Sequence, residues 1–426
     1  MKELFTMLTD PRFHLVNKVS QRFSNGPEPS FVRLTREGFT MDPNIRKKTR
    51  VHPYMHLASH PSIGKGDLFS PMYGEITDIT ELSVFIKRVE PDEAMLAAYA
   101  EEPETDVMEA PERGQDLAVV LKRMGLNTRS LGQQCETLVV NCLNPDPGVN
   151  WAEPMLLTHQ RHFLAGMEML RRLSPAKKII LAVPEELKQL KFHGVEVVGV
   201  PSHYPASINA LVVRAVTGRE RPEGVGVVGL HNVWSLGRVA VTRRPLIDTV
   251  ITIGSLHHNG NYIVRDGSTV GELFDFAGVQ LNSGDTIVRG GPLRGESIDR
   301  LDRSITKGAI GLFLVEKGSI PPMEGHSPCV SCGSCVAICP ARLRPDLLSR
   351  YAEFGLHKRS LEQYIDCCLE CGLCGYVCIN RRPVLQYIRL SKAKLGINVP
   401  KPQDLYYSDI RPAKSKASET AEEAKQ

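Results

Sequence analysis

Between about residues 117 and 253, short apolar runs alternate with stretches of helical spacing. "TLVVNCL" (137–143), "KKIILAV" (177–183), "VEVVGV" (195–200), "GVGVVGL" (224–230) and "DTVITI" (248–253) read as buried strands. Between the first two, Leu156, Phe163, Met167 and Leu170 keep helical spacing. "PASINALVVRAVTG" and "HNVWSLGRVAVTRR" are the later helix candidates. Strands and helices in alternation favour a parallel sheet flanked by helices.

The flanking segments follow other rhythms. From His52 to Val89, Gly and Pro punctuate short runs of alternating polarity, which predicts small strands and tight turns. Residues 1–50 are basic, broken by Pro and Gly, and carry no assignable element. Residues 90–116 are acidic and read as a short helix and a linker. From 254 to about 300, short strands surround one helix, "TVGELFDFAG", in a compact α+β module. The tail "KSKASETAEEAKQ" has too few apolar residues to pack and reads as disordered.

A chain of 426 residues is long enough for two to four domains. Hydrophobic content of 42%, charged content of 23% and a formal charge of +4 are ordinary for a globular protein. No basic stretch is interleaved with aromatics, so nucleic acid is not an expected partner. "MKELFTMLTDPRFHLVNKVSQ" lacks the apolar run of a secretory signal, and runs such as "IILAV" fall far short of a membrane span.

The cysteines change the picture. Of eleven, nine lie between 329 and 378, and the other two are Cys135 and Cys142. Such clustering in a long chain points to metal and not to a disulfide scaffold. Cys329, Cys332, Cys335 and Cys339 are spaced C-x2-C-x2-C-x3-C before Pro340, and Cys368, Cys371, Cys374 and Cys378 repeat the spacing. Three thiolates two residues apart can wrap one cubane, while the fourth reaches the other cluster. Crossed ligation therefore predicts Cys329, Cys332, Cys335 and Cys378 on one [4Fe-4S] cluster, and Cys368, Cys371, Cys374 and Cys339 on the second. Gly333 and Gly372 follow the second cysteine of each motif and leave room for a bulky group. The alternative, a pair of zinc sites, would use two C-x2-C knuckles across a longer gap.

Ile379 stands where proline follows the first motif, but proline supplies no ligand atom. Cys367 is surplus and reads as a bystander thiol. Between 341 and 395, ten Lys/Arg (Arg342, Arg344, Arg350, Lys358, Arg359, Arg381, Arg382, Arg389, Lys392, Lys394) face five acids (Asp346, Glu353, Glu362, Asp366, Glu370). Part of that excess balances the metal. The remainder suits an acidic carrier such as ferredoxin, an anionic membrane surface or plain solvent.

The order of these features resembles the C subunit of the Rnf electron transport complex, an ion-translocating ferredoxin:NAD oxidoreductase. Related families are the A subunit of the sodium-translocating NADH:quinone reductase and the cobalamin reductase of the propanediol microcompartment. The residues that carry the resemblance are the paired motifs closing with "RRPVLQYIRLSKAK", the "VRGGPLRG" turn (288–295), "YPASINALVVRAVTGRERP" and "GVGVVGLHNVWSLGRVAVTRRPLIDTVITI". The resemblance implies a multidomain α/β and α+β chain: an N-terminal extension (1–50), a barrel-sandwich hybrid (51–95) and an acidic linker (96–116). A flavin/NADH-binding-like α/β domain (117–250), a β-grasp module (251–300), a two-cluster helical ferredoxin domain (320–398) and a disordered tail (399–426) would follow.

One departure bears on function. Relatives that exchange electrons with NADH carry a "GLGGAGFPT"-like loop and an "NGAECEPY"-like stretch, whereas this chain has "GLNTRSLGQQ" (125–134) and "NCLNPDPGVN" (141–150). Only Gly125 and Gly132 remain in the first, which implies a degenerate or lost FMN/NADH site. The alternative is that Thr128, Arg129 and Ser130 bind phosphate in a different way. Cys135 and Cys142 read as buried thiols. His52, His56 and His60 are spaced by four, but Pro53 and Pro61 argue against a helix, and His257 and His258 lie in a turn-like segment. "FSPMYGEI" holds no lysine, so no covalent prosthetic group is expected there.

The leading expectation is an electron relay in a membrane-associated Rnf-type complex. It would lie peripherally on the cytoplasmic face of the cell (inner) membrane. Its two clusters would link ferredoxin or a cytochrome-type carrier to the other subunits, and without a nicotinamide site it would not be a complete enzyme alone. The alternatives are an active NADH-oxidising flavoprotein and a soluble cobalamin-reductase-like electron donor.

Overall fold

The computed structural model describes residues 23–255, 258–318 and 327–397. The expectations for residues 1–22, His257 and the tail lie outside these residues. The described chain is mixed α/β with four sheets.

Strands β1 (Phe23–Asn25), β2 (Phe31–Thr35), β3 (Thr40–Met41), β4 (Arg50–Val51), β5 (His56–Ser59), β6 (Leu68–Phe69), β7 (Gly74–Ile79) and β8 (Ser83–Arg88) come first. Seven of them form two small antiparallel sheets, ordered β2-β8-β7-β4 and β3-β5-β6, around Val32, Leu34, Leu57, Ile76 and Ile86. Residues 31–41 carry no assignable element by pattern. Burial of Val32 and Leu34 depends on pairing with β8, some fifty residues later, which no local window contains.

Helices α1 (Glu93–Glu101) and α2 (Gly114–Arg123) follow, α1 capped by the Asp92 carboxylate, which accepts from Met95 N at 2.8 Å. The next elements are β9 (Thr137–Asn141), α3 (Ala152–Leu157), α4 (Gln160–Leu173), β10 (Lys178–Pro184), β11 (Glu196–Val200), α5 (Asn209–Thr217), β12 (Val225–Gly229) and α6 (Leu230–Thr242). The four strands form a wholly parallel sheet, ordered β11-β10-β9-β12. Helices α4 and α6 cross at Gly166 and Gly237; a Cβ on either would collide with a backbone carbonyl of the other helix, Val233 O or His162 O.

"DTVITI" becomes β13 (Asp248–Gly254), but it does not close the parallel sheet. It pairs antiparallel over seven residues with β14 (Asn259–Arg265). After α7 (Val270–Ala277), capped by Thr269, come β15 (Thr286–Arg289), β16 (Glu296–Ile298) and β17 (Gly311–Val315). The resulting mixed sheet runs β1-β14-β13-β17-β15-β16. Every residue of β13 is buried, so its apolar run suits either sheet and cannot name its neighbours.

The cysteine-rich segment is helical: α8 (Ser334–Ala337), α9 (Pro345–Glu353), α10 (Leu373–Tyr376) and α11 (Val384–Lys394). Leu343, Leu348, Ile365, Val384 and Ile388 form its own small core. Among the described residues, no helix is long and apolar enough to cross a membrane.

Candidate metal centre

The two cysteine motifs fold as near copies. In each, a glycine with left-handed backbone, Gly333 (φ 79°) or Gly372 (φ 80°), starts the short helix that carries the third cysteine. Left-handed residues recur at Ser331 and Glu370 (φ 56° and 52°) and at Arg342 and Arg381 (φ 55° and 51°). The backbone N–H of Leu343 donates to Cys339 Sγ, and that of Arg382 to Cys378 Sγ, both at 3.4 Å. The glycines are needed for their backbone more than for room in a cavity. Gly372 is also tight, since a Cβ there would strike Leu293 O of the "VRGGPLRG" turn, whereas nothing lies within 4 Å of one at Gly333.

Ile379 leaves this geometry intact. Arg381 N donates to Cys378 O at 3.0 Å, matching Arg342 N to Cys339 O at 3.0 Å in the motif that has proline.

The eight motif cysteines border two cavities. One, of about 400 Å³ with its open mouth, is lined by Cys329, Cys332, Cys335 and Cys378. The other, of about 370 Å³, is lined by Cys339, Cys368, Cys371 and Cys374, together with Leu343, Leu348, Leu385 and Ile388. The structure thus brings the fourth cysteine of each motif to the cavity of the other three. All eight are free of disulfides. Among the described residues, no three Cys, His, Asp or Glu side chains converge closely enough to share a single ion.

Burial sets the chemistry of these thiols. It pushes Cys335 up to about 11 and Cys371 up to about 12, and Cys374 well above its ordinary value. Cys332, at the surface, is lowered by hydrogen bonding from Ser334. A cluster of buried thiolates is costly on its own, and iron would supply the compensating positive charge. The donor set fits an iron–sulfur cluster.

The two sets differ in their surroundings. Cys371 and Leu373 pack into the core of the parallel sheet with Val139, Ile208 and Val212. Buried Tyr204 donates its hydroxyl to Cys371 O at 2.6 Å. The other set lies at the surface, where Cys332 is exposed and Val330 and Ile379 are 53% and 52% exposed.

Several of the basic residues are internal. Arg382 is buried, pairs with Glu353 at 2.7 Å and lies over the Tyr387 ring. Arg389 and Lys392 both meet Glu370, which sits between Cys368 and Cys371. Burial opposes ionisation of Glu370, but the Lys392 charge and hydrogen bond, then those of Arg389, hold its carboxyl below the usual range. From the sequence, Glu370 counts only as one acid among five, and Tyr204 enters only as the first residue of the "YPASIN" stretch. For Glu370 the available signal was its alignment with Ser331 in the repeated motif.

At "GLNTRSLGQQ", Thr128 and Ser130 are buried and used within the protein. Thr128 donates to Ile63 O at 2.6 Å, and Ser130 accepts from Asn232 at 3.0 Å. Arg129 remains exposed. In "NCLNPDPGVN", Asp146 is buried and accepts from Leu293 N at 3.0 Å, tying the loop after β9 to the "VRGGPLRG" turn.

Cys142 is fully buried and Cys135 partly so, and burial raises both thiols. His52 precedes a turn at Pro53 and Tyr54, His56 opens β5 and His60 follows it, so the three lie on no helix. His258 contacts the Tyr262 hydroxyl at 3.1 Å. Cys367 Sγ lies 4.0 Å from Asp366.

No family model matches the chain. It is 30% identical over 282 residues to the C subunit of the proton-translocating ferredoxin:NAD(+) oxidoreductase complex of Clostridium ljungdahlii, covering 62% of this chain and 61% of that protein. It is 24% identical over 272 residues to the C subunit of the ion-translocating oxidoreductase complex of Buchnera aphidicola, covering 60% and 58%. For the C subunit of the Haemophilus influenzae complex, identity is 27% over 285 residues, covering 63% and 44%. The chain thus spans between 44% and 61% of the length of these relatives. Among solved structures, the NAD+-reducing [NiFe]-hydrogenase in its H2-reduced state overlaps 78% of this chain and 70% of its own, at 13% identity and a TM-score of 0.41. The resemblance read from the motifs and the names of the sequence relatives agree.

Proposed function

We propose that this chain is the redox C subunit of an ion-translocating oxidoreductase complex, relaying electrons through two [4Fe-4S] clusters. Cys329, Cys332, Cys335 and Cys378 would hold one, and Cys339, Cys368, Cys371 and Cys374 the other. When bound, each cluster takes up and releases one electron at a time. The observation that carries this reading is the exchange of fourth cysteines between the two cavities, the arrangement expected of two cubanes in one module. Around the buried set, Leu343, Leu348, Leu385 and Ile388 exclude water. Around the outer set, the exposed edge at Val330, Cys332 and Ile379 offers access to a partner.

The finer architecture belongs to the same proposal. The two small sheets serve as a barrel-sandwich hybrid, the parallel sheet as a flavin/NADH-type scaffold, the mixed sheet with α7 as a β-grasp module, and α8–α11 as a two-cluster ferredoxin domain. The FMN/NADH site is degenerate in this reading. The internal hydrogen bonds of Thr128 and Ser130 support it, because both hydroxyls are committed to Ile63 and Asn232. The chain would lie peripherally on the cytoplasmic face of the membrane, with ferredoxin or a cytochrome-type carrier and the other subunits as partners.

The test is anaerobic reconstitution followed by titration. Two cubanes require about eight irons per chain, bleaching of the visible band by dithionite and none by NADH with added FMN. Bleaching by micromolar NADH would instead select the active flavoprotein, and absence of a cubane signal would end the two-cluster reading.

A further inference from the structure

The two cavities share a backbone but not a charge balance. Beside the outer set, two cations each have a carboxylate: Arg382 faces Glu353 at 2.7 Å, and Arg344 faces Asp346 at 2.8 Å. Beside the inner set, one carboxylate serves two cations. Glu370 Oε1 takes Lys392 Nζ at 2.7 Å and Oε2 takes Arg389 Nε at 3.0 Å.

Lysine is among the residues least often buried, yet Lys392 is only 5% exposed. It is held there by a second bond, from Nζ to Cys368 O at 2.9 Å. Arg389 is anchored in turn on Arg294 O at 3.0 Å. Glu370 itself is 3% exposed and lines the cavity, at the position where the outer motif has exposed Ser331. These three side chains leave one positive charge without a carboxylate of its own.

We propose that Lys392, seated by Glu370 and Arg389, is a positioning residue that raises the midpoint potential of the inner cluster, so that reduction is eased beside the parallel sheet. The inference rests on the two-cluster reading above. An oxidised cubane with four thiolates carries a charge of about −2, and one electron takes it to about −3. A fixed positive charge nearby favours the more negative state, and does so more strongly where water is excluded. At the outer set Arg382 and Arg344 are each matched by one carboxylate, and the site opens to solvent, which screens charge. Lys392 also ties helix α11 to the backbone of Cys368, so the charge keeps its place relative to the first cysteine of the motif.

The test is a potentiometric titration of the reconstituted full chain with dithionite, followed by electron paramagnetic resonance, with iron counted in every sample. Lys392→Met should shift one midpoint down and leave the other in place. Glu370→Gln, which keeps both cations, should shift the same midpoint up, and Lys392→Arg should restore it. The midpoint that moves must be the one lost in Cys368→Ala and retained in Cys329→Ala.

Wild-type midpoints in both Lys392→Met and Glu370→Gln, with full iron content, would overturn the proposal. So would movement of the outer cluster's midpoint. If Lys392→Met loses iron, Glu370→Gln decides alone. A wild-type chain without cubanes refutes the two-cluster reading instead, and the iron count separates the two failures.

Discussion

Replacing Cys378 with alanine separates crossed from local ligation. Cys378 lies four residues after Cys374 in sequence, yet it lines the cavity of Cys329, Cys332 and Cys335. Cys378→Ala therefore leaves Cys339, Cys368, Cys371 and Cys374 untouched, and iron should fall from about eight to about four per chain. The resonance that vanishes should be the one that vanishes in Cys329→Ala. Cys339→Ala and Cys368→Ala should together remove the other signal. The two losses should also differ in stability. The inner set shares its core with Val139, Tyr204 and Ile208 of the α/β unit, so loss of the inner cluster should lower the melting temperature further than loss of the outer one. The assay is iron and sulfide analysis with resonance spectra on the four variants, prepared in parallel. If Cys378→Ala and Cys368→Ala erase the same signal, ligation is local and the crossed arrangement is wrong.

Two further predictions concern the frame around the cysteines. Gly333→Ala should cost only the left-handed backbone penalty, about 1 kcal/mol, whereas Gly372→Ala adds a collision with Leu293 O and should cut iron at the inner site; equal behaviour of the two variants would count against that close approach. Burial pushes the Asp146 carboxyl up to about 7, against the opposing Leu293 and Arg294 N–H groups and the Arg294 charge. Folding therefore favours its protonated form. This contribution, roughly 4 kcal/mol at most, is fully present below the unfolded pKa of about 4 and is lost as pH rises through about 7. Asp146→Asn should flatten that slope. Denaturation followed by the fluorescence of Trp151 and Trp234, both in the α/β core, reads it out, and an unchanged slope would rule Asp146 out as the titrating group.

Much of this molecule was legible because its signals are local. The cysteine spacing, the apolar runs of β9 to β12, the helical spacing of α4 and the "TVGELFDFAG" helix each occupy a few neighbouring residues. Their physical meaning follows from backbone periodicity and ligand reach. The reading of "GLNTRSLGQQ" as a changed loop is of another kind, since missing glycines show only against the pattern of the resembled family.

What remained hidden depends on distance along the chain. β13 has an apolar run that either sheet could bury, and only its seven-residue pairing with β14 decides the matter. β2 is five residues long and gains its burial from β8. Glu370 reads as an ordinary charged residue until α11 folds back to set Lys392 and Arg389 against it. By itself, the sequence determined which side chains could hold metal, because spacing of two and three residues is a local property. Only the tertiary structure decided that one set is seated on the parallel sheet while the other faces solvent, because burial and charge balance are sums over groups that the chain brings together from far apart.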